Sequence, residues 1–305
     1  MCGVLLGNNA HSDLDTSAVL LNIRLPRIVG AITIGALLAI SGVIFQSVLR
    51  NDLADSSIVG TSSGAMLASA VFIIVVSHFF PGLKNINLIQ AAFAFIGAIS
   101  VSYGILSFSA RGRNVSNSSL ILTGIAFGSL AGAITGVLIF ISNESQLRTL
   151  TFWTMGSLAG LNISTVTVLI LIVIFTISIT YYYSDKMDLL ALGEDDAFLM
   201  GVNVRRIKIV LLAVASLAVA VAVSFTGIIG FVGLVTPHIA RLLLGYGHKR
   251  LIIVASLFGA ILLLFSDTVS RLVVLPAELP VGIVTSIIGV PFFISLIYKN
   301  QKIAG

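Results

Sequence analysis

Residues Arg241 to Gly282 read RLLLGYGHKRLIIVASLFGAILLLFSDTVSRLVVLPAELPVG, and this stretch decides the class of fold. It contains an apolar run long enough for a membrane span, which needs about 20 predominantly apolar residues. Asp267 and Arg271 nevertheless lie inside that run. A charge near the bilayer centre costs about 2.5–3.5 kcal/mol on insertion scales, so both side chains need a structural or functional reason. They are one helical turn apart and share a face, so they can pair.

The whole chain has the composition of a membrane protein. Its 305 residues are 57% hydrophobic and 10% charged, whereas soluble domains carry about 25% charged residues. In such a protein the formal net charge of +5 belongs to cytoplasmic loops and does not indicate nucleic-acid binding. The single cysteine, Cys2, excludes an internal disulfide, and the four histidines form no ligand-spaced cluster. We therefore expect no metal site and no bound cofactor.

Catalytic motifs are missing from the sequence. It has no phosphate-binding loop of the form G-x-x-x-x-G-K-[ST], so any ATP must be hydrolysed by a partner chain. No set of nucleophile, base and orienting group can be assembled, which disfavours an intramembrane enzyme. An ion-coupled secondary transporter is also disfavoured, because such proteins place ionisable residues at the bilayer midplane, and Asp267 is essentially the only one here. A permease fragment without function is a third alternative.

Nine apolar segments predict an all-α, polytopic membrane protein that forms a single domain over residues 1–305. Several segments are rich in Gly, Ala, Ser and Thr, which is typical of helices that pack closely in lipid. The predicted spans are Arg27–Leu49, Gly60–Phe79, Leu88–Phe108, Ser118–Ile141, Ser164–Tyr183, Ile207–Phe225, Ile228–Leu244, Leu251–Val274 and Val281–Tyr298.

The distribution of Lys and Arg predicts the orientation. Alternating loops place twelve of these residues on one side and five on the other. Cytoplasmic loops carry the excess of Lys and Arg, so the richer side and the C-terminus should be cytoplasmic. Nine spans then put the N-terminus outside, and we expect a multi-pass protein of the bacterial cell membrane.

The longest polar break lies on the predicted cytoplasmic side. It reads YSDKMDLLALGEDDAFLMGVNVRRIK, from Tyr183 to Lys208. Apolar residues punctuated by Gly193 and Gly201 predict two short helices at the membrane surface, with an ordinary connecting loop as the alternative.

Five motifs, in this order and spacing, closely resemble the permeases of type II ATP-binding-cassette (ABC) importers. The motifs are RLPR (Arg24–Arg27), GALLAISGVIFQSVLRNDLAD (Gly35–Asp55), GIIGFVGLVTPHIAR (Gly227–Arg241), FSDTVSR (Phe265–Arg271) and PAELPVGIVTSIIGVPFF (Pro276–Phe293).

The resemblance implies a fold, partners and a class of cargo. Such permeases are bundles of ten helices that pair around a central pathway, with an identical or a sibling chain. Two ATP-binding subunits dock on the cytoplasmic face, and a substrate-binding protein delivers the cargo from outside. Iron–siderophore complexes are the leading cargo, with haem and cobalamin as alternatives.

The resemblance also implies roles for particular residues. Residues 185–206 form the cytoplasmic coupling segment, in which GEDDAFLMG resembles the acidic–Ala–x3–Gly signature of ABC importers. Arg24 and Arg271 match external arginines that grip the binding protein, whereas Arg27 is either a further docking residue or a lipid-headgroup anchor. The ATPase-coupling residues are Leu192, Gly193, Glu194, Ala197 and Gly201.

Other residues receive structural predictions. We expect Asp267 to pair with Arg271, and Glu278 to belong to a rigid external turn. Pro237 and His238 should form a kinked, packed helix, with an irregular wall of the pathway as the alternative. The spans Ser118–Ile141 and Val281–Phe293 match the helices that line the pathway in this family.

Two departures from the family pattern stand out. The helix that precedes RLPR in the family is missing, so we expect either a start upstream of Met1 or a truncated chain. Asp52 and Ser56 stand where the family has proline, which leaves the turn after the first span less rigid.

Overall fold

The computed structural model describes residues 20–56, 58–80, 85–110, 115–245 and 247–304. Cys2 and the N-terminal residues expected to end a preceding helix lie outside these ranges. The regular elements in the described ranges are helices, as the composition predicted.

Twelve helices follow one another along the described chain, and a π turn (Leu20–Arg24) leads into the first. They are α1 (Leu25–Leu49), α2 (Thr61–Val71, continued by Phe72–Val76 and Ser77–Phe79), α3 (Ile86–Ser109), α4 (Asn117–Ile141), α5 (Glu144–Thr154), α6 (Ile163–Tyr182), α7 (Ser184–Leu192), α8 (Glu194–Leu199), α9 (Val204–Thr226), α10 (Val232–Leu244), α11 (His248–Leu272) and α12 (Val281–Ala304).

The nine predicted spans all fall on helices. Six helical runs in the described ranges are long and apolar enough to cross a membrane, and α2, α10 and α12 supply three shorter apolar helices. The predicted all-α fold class is therefore confirmed for the described residues.

One predicted span was too long, and one helix was not predicted. The predicted span Ile228–Leu244 becomes helical only at Val232, because Gly227 and Phe231 adopt positive φ angles of 71° and 67°. Helix α5 was not predicted at all, although its N-terminus carries a legible signal. The Asn143 side chain accepts from the Gln146 backbone N–H, and the Gln146 side chain accepts in return from the Asn143 N–H, which is a capping box.

Helix α1 is the centre of the bundle. In its most apolar stretch, 83% of the residues are buried, against 17% for α4 and 22% for α6. It packs against α6, α9, α10 and α11. Much of the surface of α4 and α6 is thus left to contact lipid, a second subunit or a pathway.

Glycines allow α1 to approach two neighbours at backbone distance. A Cβ on Gly35 would lie 2.2 Å from the carbonyl oxygen of Gly259 in α11, and a Cβ on Gly42 would lie 1.9 Å from that of Gly233 in α10. Small residues let helix backbones meet in this way where lipid removes the hydrophobic drive.

Replacing Gly42 with alanine should lower the melting temperature of the purified protein and its amount in the membrane. Overpacking a filled interior costs about 1–3 kcal/mol, and the obstacle here is backbone. The matched control is Gly136→Ala in α4, where a Cβ meets nothing within 4 Å. That variant should be unchanged or slightly more stable, because alanine favours helix by about 0.5–1 kcal/mol over glycine. Equal melting temperatures for the two variants would contradict the close α1–α10 contact.

The contacts that join loops lie at two opposite ends of the bundle. At one end, here called the basic end because its loops carry most of the Lys and Arg residues, Asp52 pairs with Arg241 at 2.9 Å and Asp188 with His248 at 2.6 Å. At the opposite end, Arg27 pairs with Glu278, and the Val281 N–H donates to the Gly156 carbonyl. Loops that were predicted to lie on the same side of the membrane therefore contact each other. Which end of the bundle faces the cytoplasm stays a prediction.

Candidate functional site

A charged cluster occupies the opposite end of the bundle, between α1 and α11. Arg27 Nε donates to Asp267 Oδ1 at 2.9 Å, and Arg27 Nη1 lies 2.9 Å from Glu278 Oε2. Arg271 Nε lies 3.3 Å from Asp267 Oδ2. The Asp267 side chain is fully buried, and those of Arg27 and Arg271 are 13% and 15% exposed. One buried carboxylate thus lies between two guanidinium groups.

The local sequence explains how the cluster assembles. Pro26 opens the first turn of α1 and suits a helix start because its missing N–H would be unpaired there anyway. The close α1–α11 contact brings Arg27 beside Asp267. The turn that carries Glu278 is fixed by the Leu279 N–H, which donates to the Ser270 carbonyl at 3.0 Å.

These contacts bear on the predicted roles of the charged residues. Asp267 contacts Arg271, the partner expected from their spacing, but its shorter contact is to Arg27. Arg27 is held by two carboxylates, which favours a structural role and leaves its docking role an untested prediction. Arg24 is half-buried at the same end of the bundle as Arg271.

The coupling segment folds as two short helices, as its pattern predicted. Gly193 (φ 154°) separates α7 from α8, and Gly201 (φ 82°) follows α8. Ala197 is fully buried and holds α8 against the bundle. The opposite surface of the segment is apolar and exposed, through Leu192, Phe198, Leu199 and Met200. An exposed apolar cluster of this kind can contact a partner protein or the membrane.

Three charged contacts attach the coupling segment to the bundle. Asp188 accepts from the backbone N–H of His248 and contacts its ring, and Asp185 pairs with Lys249 at the surface. Glu194 pairs with Lys208, whose side chain is 1% exposed. The sequence had shown Lys208 only as one of many loop cations. Its burial depends on packing that no local pattern reveals.

Helix α10 contains Pro237 but is packed and hydrogen-bonded from outside. A proline at this position cannot donate to the carbonyl four residues earlier, that of Gly233. The Gln46 side chain donates to this carbonyl at 3.3 Å and to that of Leu234 at 3.4 Å. Pro237 is buried, and the His238 ring packs edge-on against Phe292. These contacts favour the structural role predicted for both residues.

Arg241 continues this network to the first loop. It donates to the Gln46 side chain at 2.6 Å and to Asp52 at 2.9 Å. Asp52 thereby supplies an ion pair between the loop and α10.

Helix α4 presents an open, small-residue face. Gly132 and Gly136 have nothing within 4 Å of a built Cβ, and Ser129 is exposed on the same side. This face matches the span predicted to line the pathway. Within the described residues, no three His, Cys, Asp or Glu side chains are grouped to hold a metal ion. That the chain binds no cofactor stays a prediction.

Comparison with curated proteins finds close relatives over almost the whole chain. The hemin transport system permease of Yersinia pestis is 40% identical over 92% of this chain and 84% of its own length. The cobalamin import permease of Halobacterium salinarum is 40% identical over 92% and 73%. A protein of Helicobacter pylori described as a probable iron chelatin transport permease is 35% identical over 94% and 84%.

Solved structures give the same answer for the fold. A chain of an ABC transporter of metal-chelate type, in an inward-facing conformation, matches with a TM-score of 0.84 and 31% identity over 98% of this chain and 94% of its own. The PsaBC complex of Streptococcus pneumoniae contains a chain with a TM-score of 0.58 and 16% identity, over 88% and 89% of the two chains, which shows a shared fold. The model of the FecCD transport family matches residues 3–299. The chain therefore belongs to the FecCD transport family and is a permease of an ABC importer.

Proposed function

We propose that this permease moves an iron–siderophore complex across the bacterial cell membrane, along a pathway beside α4 and α12. The observation that carries the proposal is the open face of α4 at Gly132 and Gly136. A large polar chelate needs a wide route lined by small, weakly polar groups. The Helicobacter relative named for iron chelatin supports this cargo. Haem and cobalamin are the alternatives, because two relatives at 40% identity are named for them.

The cargo is tested by offering all three candidates to the complete transporter. The cognate binding protein is titrated with labelled ferric siderophore, haem and cobalamin, and each loaded form is added to cells that produce the transporter. We expect tight binding and uptake of the ferric siderophore. Uptake of haem or cobalamin, with none of the siderophore, would replace the proposed cargo with that alternative.

The proposed pathway requires a second permease subunit, either a second copy or a sibling chain. In α4, only 17% of the most apolar stretch is buried, which leaves its glycine face available to a partner across the pathway. We further propose that residues 1–305 form one transmembrane domain with its C-terminus in the cytoplasm. The surplus of Lys and Arg at the basic end supports this orientation.

The proposed energy source is a pair of ATP-binding subunits that dock on residues 185–206. The exposed apolar surface of α7 and α8 supports this assignment, since Leu192, Phe198 and Leu199 point away from the bundle. Ala197 and Gly193 shape the segment, and Glu194 ties it to α9.

The proposed docking site for the external binding protein contains Arg24 and Arg271. A guanidinium fork binds carboxylates in a bidentate manner and stays protonated, which suits recognition of acidic residues. Arg271 contacts Asp267 through Nε, so its terminal nitrogens can face the partner. Arg27 belongs to the inner part of this cluster.

Arg271→Glu should reduce uptake by about ten-fold or more, because truncating one member of a desolvated interfacial ion pair costs about 2–5 kcal/mol. Basal ATP hydrolysis should persist, because Asp267 keeps its shorter contact to Arg27, while stimulation by the loaded binding protein should fall. A compensating Glu→Arg change on the binding protein should restore part of the uptake.

Arg24→Glu is the matched variant, because Arg24 lies in the π turn that leads into α1 rather than on α11. It should reduce stimulation by the binding protein without affecting accumulation of the permease. If Arg271→Glu prevents accumulation and Arg24→Glu transports normally, then Arg271 is only a partner of Asp267 and the docking role is wrong.

A further inference from the structure

Lys208 places a positive charge inside the protein near the start of α9. Its side chain is 1% exposed, and the ammonium has three polar partners. It donates to the Val115 carbonyl at 2.9 Å, to Asn117 Oδ1 at 2.7 Å and to Glu194 Oε1. A buried charge is stable only when it is paired and hydrogen-bonded, and this ammonium has one donor for each partner.

The three partners belong to two elements with different proposed tasks. Glu194 is the first residue of α8, in the coupling segment. Asn117 is the first residue of α4, which carries the open glycine face, and Val115 lies just before it. The Asn117 side chain also donates to the Leu49 carbonyl at the end of α1. Lys208 therefore joins the coupling segment to the beginning of the pathway helix.

Burial makes the contacts of Lys208 costly to break. Separating a buried ammonium from one partner leaves an uncompensated charge, and that is far more costly than separating an exposed pair. When α8 moves, the least costly response is for Lys208 and the start of α4 to move with it. The other lysine contact of the segment is different, because Lys249 and Asp185 are 49% and 71% exposed and can separate into water.

We propose that Lys208 is a positioning residue of the transport cycle, which transmits displacement of α8 to the N-terminus of α4. This inference rests on the proposed function, in which the ATP-binding subunits dock on α7 and α8 and the cargo passes beside α4. Docking of the ATP-binding subunits depends on the exposed apolar surface of α7 and α8. Transmission of movement to α4 depends on the buried contacts of Lys208, so the two properties can be tested separately.

The test uses the complete transporter in liposomes, with its ATP-binding subunits inside and loaded binding protein outside. Lys208→Met keeps an unbranched side chain, one atom shorter, and removes the charge. We expect the ATP-binding subunits to co-purify and to hydrolyse ATP, while cargo imported per ATP falls by about ten-fold. Lys249→Met, which removes the exposed contact, should import cargo with the efficiency of the unmodified protein.

Asn117 gives a second, milder pair of variants. Asn117→Ala removes the side-chain contact of Lys208 with α4 but leaves its contacts with Glu194 and Val115, and it should lower cargo per ATP in the same direction. Asn117→Asp keeps an oxygen for Lys208 and loses the donor to Leu49, so it should retain efficient import if Lys208 is the relevant contact.

The outcomes separate this inference from the proposed function. If the unmodified complex shows no ATP-dependent import, the proposed function itself fails. If it imports cargo and both Lys208→Met and Asn117→Ala match its efficiency, only the junction is refuted. Loss of the ATP-binding subunits from both variants would make Lys208 a support of the docking surface, and this also overturns a transmitting role.

Discussion

Replacing Asp267 with leucine should reduce the amount of permease in the membrane by about ten-fold or more, because removing one partner of a buried ion pair costs about 3–5 kcal/mol. The change leaves Arg271, 15% exposed, without its carboxylate, and leaves Arg27 with Glu278 alone. The measurement is the amount of folded protein, by fluorescence-detected size exclusion, and its melting temperature in detergent.

Two further variants isolate the buried charge. Glu278→Gln removes the negative charge of the half-exposed partner of Arg27 and should change stability by no more than about 1 kcal/mol. The double variant Asp267→Leu with Arg27→Met removes both members of the Arg27–Asp267 pair and should recover part of the loss. A stable Asp267→Leu protein, or a double variant worse than either single change, would contradict the assignment of Asp267 as the structural centre of the cluster.

Gly201→Trp should abolish uptake and remove the ATP-binding subunits from the purified complex. The residue has a φ of 82°, which side chains other than glycine adopt at a cost. A tryptophan there would also extend from the exposed end of α8 into the proposed docking surface. The measurement combines the amount of ATP-binding subunit that co-purifies with cargo uptake by cells.

Gly245→Trp is the matched control for backbone strain. Gly245 ends α10 at the same end of the bundle, has a φ of 76° and, like Gly201, has nothing within 4 Å of a built Cβ. It lies outside residues 185–206, so its variant should retain the ATP-binding subunits. Normal co-purification and uptake for Gly201→Trp would show that the segment is not the docking surface.

The sequence was sufficient for features that depend on composition and local spacing. The nine spans could be predicted because a bilayer imposes a length and a polarity on each segment. The Asp267–Arg271 contact could be predicted because residues four positions apart share a helix face. The two helices of the coupling segment could be predicted from apolar runs that end at Gly193 and at Gly201.

Contacts between residues far apart in the sequence could not be predicted. Arg27 and Asp267 are 240 positions apart, and their pairing depends on the approach of α1 to α11 through Gly35 and Gly259. The burial of Lys208 could not be predicted, because its three partners lie just before α4, at its first residue and at the start of α8. Gln46 gave no sign that it would donate to the carbonyl group that Pro237 leaves unpaired.

Local geometry explains the remaining errors. The predicted helix from Ile228 was an error of extent, since apolar composition continues through Gly227–Phe231 while the backbone does not. Phe231 adopts its positive φ opposite Gly289, where a built Cβ would lie 2.5 Å from the Phe231 side chain. A single sequence does not show that two such positions face each other.

In the proposed function, this chain is the membrane subunit of an ATP-driven importer of iron–siderophore complexes. The most direct measurement is uptake of radiolabelled ferric siderophore into liposomes that contain the permease with its ATP-binding subunits. We predict uptake that requires both internal ATP and the external binding protein, and that an imposed proton or sodium gradient does not replace. Uptake driven by such a gradient without ATP, or ATP-dependent uptake of haem or cobalamin but not of the siderophore, would contradict it.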